Sequence, residues 1–443
     1  MPSRATGGAS AAKSSSNNTA RGVLIELPSA PAKLNTNGRT RRLRVPGFEI
    51  PYYAGELWTA RQRQMHPLHY TVSYRASFKP ELPDFFIRRY LRERRVTGGV
   101  VLDPFGGRGT TIVQANLMGF RGVHNDLNPV SIFLASARRD IPPLAELVER
   151  TRALDLTKRG DLSAEERERL LPFFHPRTLE EIASLRARLL ASMTDGPASG
   201  TDAALQYIGL TALSRLHGHS DGFFSVYSFP QISIMPEAQA RNNRRRQQEP
   251  EYRDVKSRIV KKMKADLGSA EFTDEFRRSA RRNRFIMNDA RKLKGVRANS
   301  VDLVVTSPPF LDKVNYVADN WMRAWFLGCD DEPALTMTPN VDEWVDFMTE
   351  VMRDLGRVLR PGGRAVIEVG EVQVGAGRGR RDLNLEELLI SRLPLELRGG
   401  GRLVAEEVFI NSQSFTKLAN CWDVKNNAKG TNTNRCLVVR KLV

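Results

Sequence analysis

The stretch VVLDPFGGRGTTIVQANLMGFRGVHNDLNP, residues 100–129, decides the fold. Three apolar residues run into Asp103, and a turn holding Gly106, Gly107 and Gly109 follows. GTTIVQANLMGF then carries helical spacing, and RGVHNDLNP reads as a second strand with its exit loop. A buried strand, a glycine turn, a helix and a second strand in that order predict a parallel, doubly wound sheet. The turn lacks the G-K-[ST] that marks a nucleotide-phosphate loop, and Ile112 stands where a third glycine of G-x-G-x-x-G would fall. Its glycines let a ligand approach the backbone, and the helix opening near Thr110 favours a carboxylate. Asp126 ends the second strand 19 residues after Gly107, the spacing at which an acidic residue reaches ribose hydroxyls. As an isolated residue it reads equally well as an Asx turn before Asn128-Pro129.

Working outward, residues 1–45 are rich in Ser, Ala, Asn, Thr and Gly and end in RTRRLR, which predicts a disordered basic arm. A first half of the α/β domain spans 46–140. From 141 to 285 the sheet pattern lapses into segments of helical spacing, an irregular stretch (HGHSDGFFSVYSFPQ) and a basic cluster. Residues 286–443 resume the strands, and RLVAEEVFINS with NRCLVVRKLV predicts an antiparallel C-terminal hairpin. The expected fold is thus α/β, a doubly wound, mostly parallel sheet interrupted by a mainly helical insertion.

The chain of 443 residues carries a formal charge of +18, more than solubility requires, and a polyanion partner is the economical explanation. Between Arg241 and Arg297 stand 19 Lys/Arg against 8 Asp/Glu. Within that run RNNRRR, with Arg241, Arg244, Arg245 and Arg246, is the candidate for phosphate contacts. No apolar run approaches the ~18 residues of a membrane span, and no apolar signal segment follows Met1. The three cysteines, Cys329, Cys421 and Cys436, show no C-x-x-C pairing, which predicts a reducing, cytoplasmic setting without disulfides or zinc. His217 and His219 lack the companions a metal needs, so no metal is expected.

The second chemical signature is VDLVVTSPPFLDK, residues 301–313. Two prolines fix their own φ, push the preceding residue to extended geometry and stop the strand, so Ser307-Pro308-Pro309-Phe310 projects stiffly from the sheet edge. A third short signal, NDARKL, puts Asp289 after the third strand at the same edge.

Together these residues resemble the S-adenosylmethionine-dependent amino-methyltransferases of DNA, the N4-cytosine and N6-adenine group. Phe105, Gly107 and Gly109 match that family's F-x-G-x-G cofactor motif. Ser307, Pro308, Pro309 and Phe310 match its [DNS]-P-P-[YFW] catalytic motif. SFKPELPDFF, centred on Lys79 and Pro80, looks like its additional cofactor segment, and Asp126 and Asp289 fall where its ribose and adenine contacts lie. The resemblance spans about residues 65–140 and 285–443 and leaves the insertion unmatched.

It implies S-adenosylmethionine bound by Lys79, Asp103, Phe105, Gly107, Gly109, Thr110, Asp126 and Asp289, and double-stranded DNA as substrate. It is also compatible with a separately encoded cognate restriction endonuclease as partner. Ser before the proline pair leans toward cytosine N4, with adenine N6 or an RNA base as alternatives. An exocyclic amine is a poor nucleophile because its lone pair is delocalised. The Ser307 hydroxyl and the Pro308 carbonyl could grip its hydrogens, while Phe310 stacks on a flipped base.

Overall fold

The computed structural model describes residues 41–45, 48–59, 64–75, 77–96, 98–158, 160–229, 234–309, 316–329, 340–374, 381–412 and 433–443. Phe310, Cys421, residues 1–40 and residues 375–380 lie outside them. The strands are β1 (Arg41–Val45), β2 (Phe48–Gly55), β3 (Val100–Asp103), β4 (Arg121–Asn125), β5 (Arg284–Ile286), β6 (Val301–Thr306), β7 (Leu359–Val369), β8 (Glu371–Val374), β9 (Arg381–Asn384), β10 (Leu395–Glu396), β11 (Arg402–Ser412) and β12 (Thr433–Leu442).

The main sheet runs β1-β2-β11-β12-β7-β6-β3-β4-β5. Its half from β7 to β5 is parallel throughout. The C-terminal hairpin is antiparallel as expected: β12 pairs that way with both β11 and β7. The chain winds from β3 outward to β4 and β5, then crosses back to β6 on the other side of β3. That reversal is the switch point at which doubly wound sheets open a crevice.

The helices are α1 (Glu81–Ile87), α2 (Thr110–Leu117), α3 (Pro129–Ser136), α4 (Leu144–Ala153), α5 (Ala164–Leu170), α6 (Pro176–Ala191), α7 (Ala203–Leu213), α8 (Pro236–Arg246), α9 (Val255–Leu267), α10 (Asp274–Arg281), α11 (Tyr316–Phe326), α12 (Val341–Val358) and α13 (Leu385–Ile390). Asn128 caps α3 by accepting from Val130 N, with Pro129 at its first position. In α12 the residues Trp344, Val345, Met348, Val351, Met352 and Leu355 recur at helical spacing, and they bury against β3, β6 and β7 in one apolar core. A second core joins α2, α3 and α11 to α4–α10.

The segment between α3 and β5 is therefore helical, but its apolar core is continuous with the helices of the sheet. Phe173 and Trp321, from the two parts, lie 5.7 Å apart between ring centroids. Within FFSVYSF, Phe223, Phe224 and Val226 are buried, whereas Phe229 is exposed. One boundary is corrected. Arg41–Val45, expected as the end of a disordered arm, pair antiparallel with β2, and β2 adds in parallel to β11. An edge strand rich in arginine resists further strand pairing.

Candidate active site at the carboxyl edge of the sheet

Parallel register between β3 and β6 (Leu102 opposite Val304) brings the glycine turn and the Ser-Pro-Pro segment to one edge. Gly107 and Gly109 have φ of 50° and 79°, which a side chain rarely tolerates. Gly106 is constrained differently. A Cβ there would fall 2.1 Å from the ring of His124, which is buried and held 3.0 Å from Ser131 Oγ. Gly106→Ala should therefore cost ~1–3 kcal/mol of stability, measured as a lower denaturant midpoint. At Gly107 the nearest atom to such a Cβ is in Tyr74 at 3.7 Å, so the turn leaves open space where backbone meets ligand.

Three strand ends are tied together here. Asn125 Nδ2 donates to Pro104 O after β3 and to Asn288 O after β5, both at 2.9 Å. Asp126 accepts from Gly107 N at 2.8 Å and from Asn128 N at 2.9 Å. Burial raises its carboxyl pKa, and those donors oppose the rise. Asn125 Oδ1 and Asp103 Oδ2 are buried without a hydrogen-bond partner. Orphan acceptors beside an open glycine turn suit a ligand that brings donors. The exposed side chains of Leu127 and Met287 follow β4 and β5, and Phe105 faces Phe347 with ring centroids 6.0 Å apart. Apolar surfaces at these strand ends suit the faces of a purine.

Asp103 accepts from Thr306 Oγ1 at 2.6 Å and Phe105 N at 3.2 Å, yet burial pushes its pKa to about 7. A carboxyl raised in the folded state favours folding below its unfolded value near 4, and that contribution is lost as pH rises through about 7. Asp103→Asn should remove this decline: its unfolding midpoint should vary less than the native protein's between pH 4 and pH 8, by calorimetry.

Other sequence candidates are already engaged. Asp289, expected to await an adenine amine, is clasped by Arg291, with Nη2 at 2.6 Å and backbone N at 2.8 Å, and this ion pair lowers its pKa. Thr110 Oγ1 accepts from Arg108 Nε at 3.0 Å, and Arg108 Nη2 reaches Phe78 O at 3.3 Å. That bond ties the segment before α1 to the glycine turn. Within the segment, Lys79 is exposed.

Beyond β6, Pro308 is buried and Ser307 half-buried. Trp344 Nε1 donates to Pro309 O at 2.9 Å, so a side chain of α12 holds this carbonyl. Trp344 is wholly buried. The β6/β7 register sets Ser307 beside Glu368 on β7, whose carboxylate accepts from Asn434 Nδ2 at 2.9 Å. Sequence reasoning missed Asn125, Trp344 and Glu368. The adjacent polar pair Asn125-Asp126 at the end of the second strand was the available signal for the first.

Arg241, Arg244, Arg245 and Arg246 lie exposed on α8, away from the strand ends in sequence. Arg246 stacks 3.9 Å over the Tyr227 ring, and Arg245 reaches Asn242 Oδ1 at 3.3 Å. His217 is buried against Phe173, and burial lowers its pKa to about 3. Among the described residues no cluster of three His, Cys, Asp or Glu could hold a metal.

No protein-family model matches the chain. A curated relative, the type II methyltransferase M.MjaII of Methanocaldococcus jannaschii, is 30% identical over 93 residues. That match covers 21% of this chain and only 17% of the relative. Among solved structures, TrmN from Thermus thermophilus is 12% identical, covering 83% of this chain and 50% of its own, with a TM-score of 0.31. The rRNA methyltransferase AviRa from Streptomyces viridochromogenes is 12% identical over 84% of this chain and 89% of its own, at a TM-score of 0.27. A second Thermus thermophilus protein, assigned as a DNA modification methylase and complexed with S-adenosyl-L-methionine, is 22% identical over 35% of this chain and 52% of its own, at 0.22. The chain thus resembles the methyltransferases in its paired motifs and in a curated relative, with the doubly wound sheet that resemblance implies.

Proposed function

We propose that this chain is a site-specific DNA methyltransferase that transfers a methyl group from S-adenosylmethionine to the N4 amine of a flipped cytosine in double-stranded DNA. The observation that carries this reading is the common edge of the glycine turn and Ser307-Pro308, imposed by the β3/β6 register. When bound, S-adenosylmethionine supplies an electrophilic methyl on its sulfonium. The chain's residues do the rest. Gly107 and Gly109 keep the turn open, Asp126 takes the ribose hydroxyls, and Phe105 with Phe347 offers apolar faces to the adenine.

Ser307 Oγ and the Pro308 carbonyl accept from the two amine hydrogens, drawing the nitrogen toward tetrahedral geometry and freeing its lone pair for direct attack. Phe310 follows them in sequence as the stacking face for the base. Residues 141–285 form the target-recognition region, with the arginines of α8 on the phosphates. The basic residues 1–40 add to the grip on the backbone.

The test supplies purified protein with methyl-labelled S-adenosylmethionine and unmethylated genomic DNA, followed by mass spectrometry of the nucleosides. Label in N4-methylcytosine is expected. Label in N6-methyladenine would keep the chemistry and change the base, and label confined to RNA would overturn the DNA assignment. Asp126→Ala is expected to weaken S-adenosylmethionine binding by ~10–100-fold in calorimetry, the value of a charge-assisted hydrogen bond, while turnover at saturation changes little.

A further inference from the structure

The Ser307 hydroxyl is held from below by a residue outside the recognised motifs. Thr306 stands opposite Ile367 in the β6/β7 register, which puts Ser307 beside Glu368. Glu368 in turn stands opposite Cys436 on β12, two residues from Asn434. Three strands thus converge on one buried carboxylate, 8% exposed, that accepts from Asn434 Nδ2 at 2.9 Å and lies beside Ser307. Asn434 lies near the start of β12, so this bond ties the last strand to Glu368.

A serine hydroxyl can donate one hydrogen and accept through two lone pairs. An amine that presents hydrogens needs the lone pairs. Left to rotate, the hydroxyl would spend part of its time with its hydrogen toward the substrate. A carboxylate is acceptor-only and removes that freedom.

We propose that Glu368 is a positioning residue: it draws the Ser307 hydrogen away from the substrate, aims the Oγ lone pairs at the target amine, and receives a proton through Ser307 during transfer. This rests on the role given to Ser307 above. The step balances. The N–CH3 bond forms as the S–CH3 bond of the sulfonium breaks, leaving a thioether. The nitrogen gives one proton to Ser307 Oγ, whose own proton passes to Glu368. The products are a neutral methylated amine, an intact serine and a protonated carboxyl that later returns its proton to water.

Burial raises the Glu368 pKa, which suits a group that must accept a proton, and the two donors restrain the rise. The other titratable groups packed here are the Cys436 thiol, pushed well up by burial and by Glu368 and Glu386, and Glu386 on α13, paired with Arg435. A thiol so raised stays neutral near pH 7, and the Glu386 carboxylate is engaged by Arg435 rather than by Glu368. The ionisation of Glu368 is then the one in this cluster that sets the acid limb of the rate profile.

The test compares Glu368→Gln and Asn434→Asp with the native protein in methyl transfer from pH 5 to pH 9. In Glu368→Gln, Asn434 holds the amide oxygen and turns the NH2 toward Ser307, which forces Oγ to accept and occupies a lone pair. kcat should fall ~100-fold and the acid limb should vanish, with S-adenosylmethionine affinity within about 2-fold. Asn434→Asp places a like charge beside Glu368 and should move the acid limb to higher pH. Without cofactor or DNA, the glutamate 13C carboxyl resonance that Glu368→Gln removes should titrate above the ordinary range. In Ser307→Ala its midpoint should rise further, because one donor is lost.

A Glu368→Gln enzyme with kcat within about 3-fold and an intact acid limb would overturn the proposal. So would a Glu368 resonance indifferent to Ser307→Ala. If Glu368→Gln fails to fold, the Asn434→Asp shift and the Ser307→Ala titration decide the matter. Absence of transfer by the native protein would instead remove the methylation reading, with the carboxyl titration still testing the Ser307–Glu368 coupling.

Discussion

Ser307→Ala should lower kcat by ~100–1000-fold while leaving the dissociation constant for S-adenosylmethionine within about 2-fold. Removing one preorganised hydrogen-bonding group from a reacting centre carries a loss of that size. The substitution deletes an acceptor for an amine hydrogen and unloads Glu368 at the same time, but touches nothing in the glycine turn. The clean separation of kcat from cofactor affinity is the diagnostic feature, and it is read from single-turnover methyl transfer beside calorimetry. A large loss of cofactor affinity with unchanged turnover would reverse the roles assigned to the two segments.

Replacing Arg241, Arg244, Arg245 and Arg246 together by glutamine should reduce DNA affinity ~100–1000-fold at low salt. It should also flatten the salt dependence by about 3–4 in the slope of log K against log salt. Each phosphate neutralised contributes about 0.9 to that slope. The four guanidiniums are exposed on one helix, whose buried residues are Pro236 and Gln239, so charge can be removed without substituting a buried side chain. Arg246 is the exception, because its guanidinium also covers the Tyr227 ring. The lysine quadruple variant, which keeps the charge, serves as control and should retain the slope. An unchanged slope in the glutamine variant would place the DNA surface elsewhere on the molecule.

Much of the fold was legible because its signals are local. The branched runs of β3 and β6, the glycine turn between β3 and α2, and the proline stop after β6 each declare themselves within a dozen residues. The helical spacing from Leu144 to Arg281 also reads directly. The continuity of its core with α2, α3 and α11 does not, since burial against a distant helix leaves no mark in the spacing. Arg41–Val45 were misread because three arginines in five residues resemble a solvated tail, whereas only the two residues Pro46-Gly47 separate them from the strand they pair with.

In the site, sequence placed single residues at strand ends but could not supply their partners. Glu368 meets Ser307 across 61 positions and Asn434 across 66, and Trp344 reaches Pro309 across 35. Only the sheet register brings them together. Asp289 shows the converse. Its carboxylate looks free in the sequence, while Arg291 two residues on clasps it.

The most direct test of the central claim is a crystal structure of the protein with S-adenosylhomocysteine, the demethylated form of the proposed methyl donor. Its ribose should lie on Asp126, its adenine beside Phe105 and Phe347, and its sulfur facing Ser307 and Pro308 across one cleft. A nucleoside bound away from the glycine turn, or a sulfur directed away from Ser307, would contradict the account.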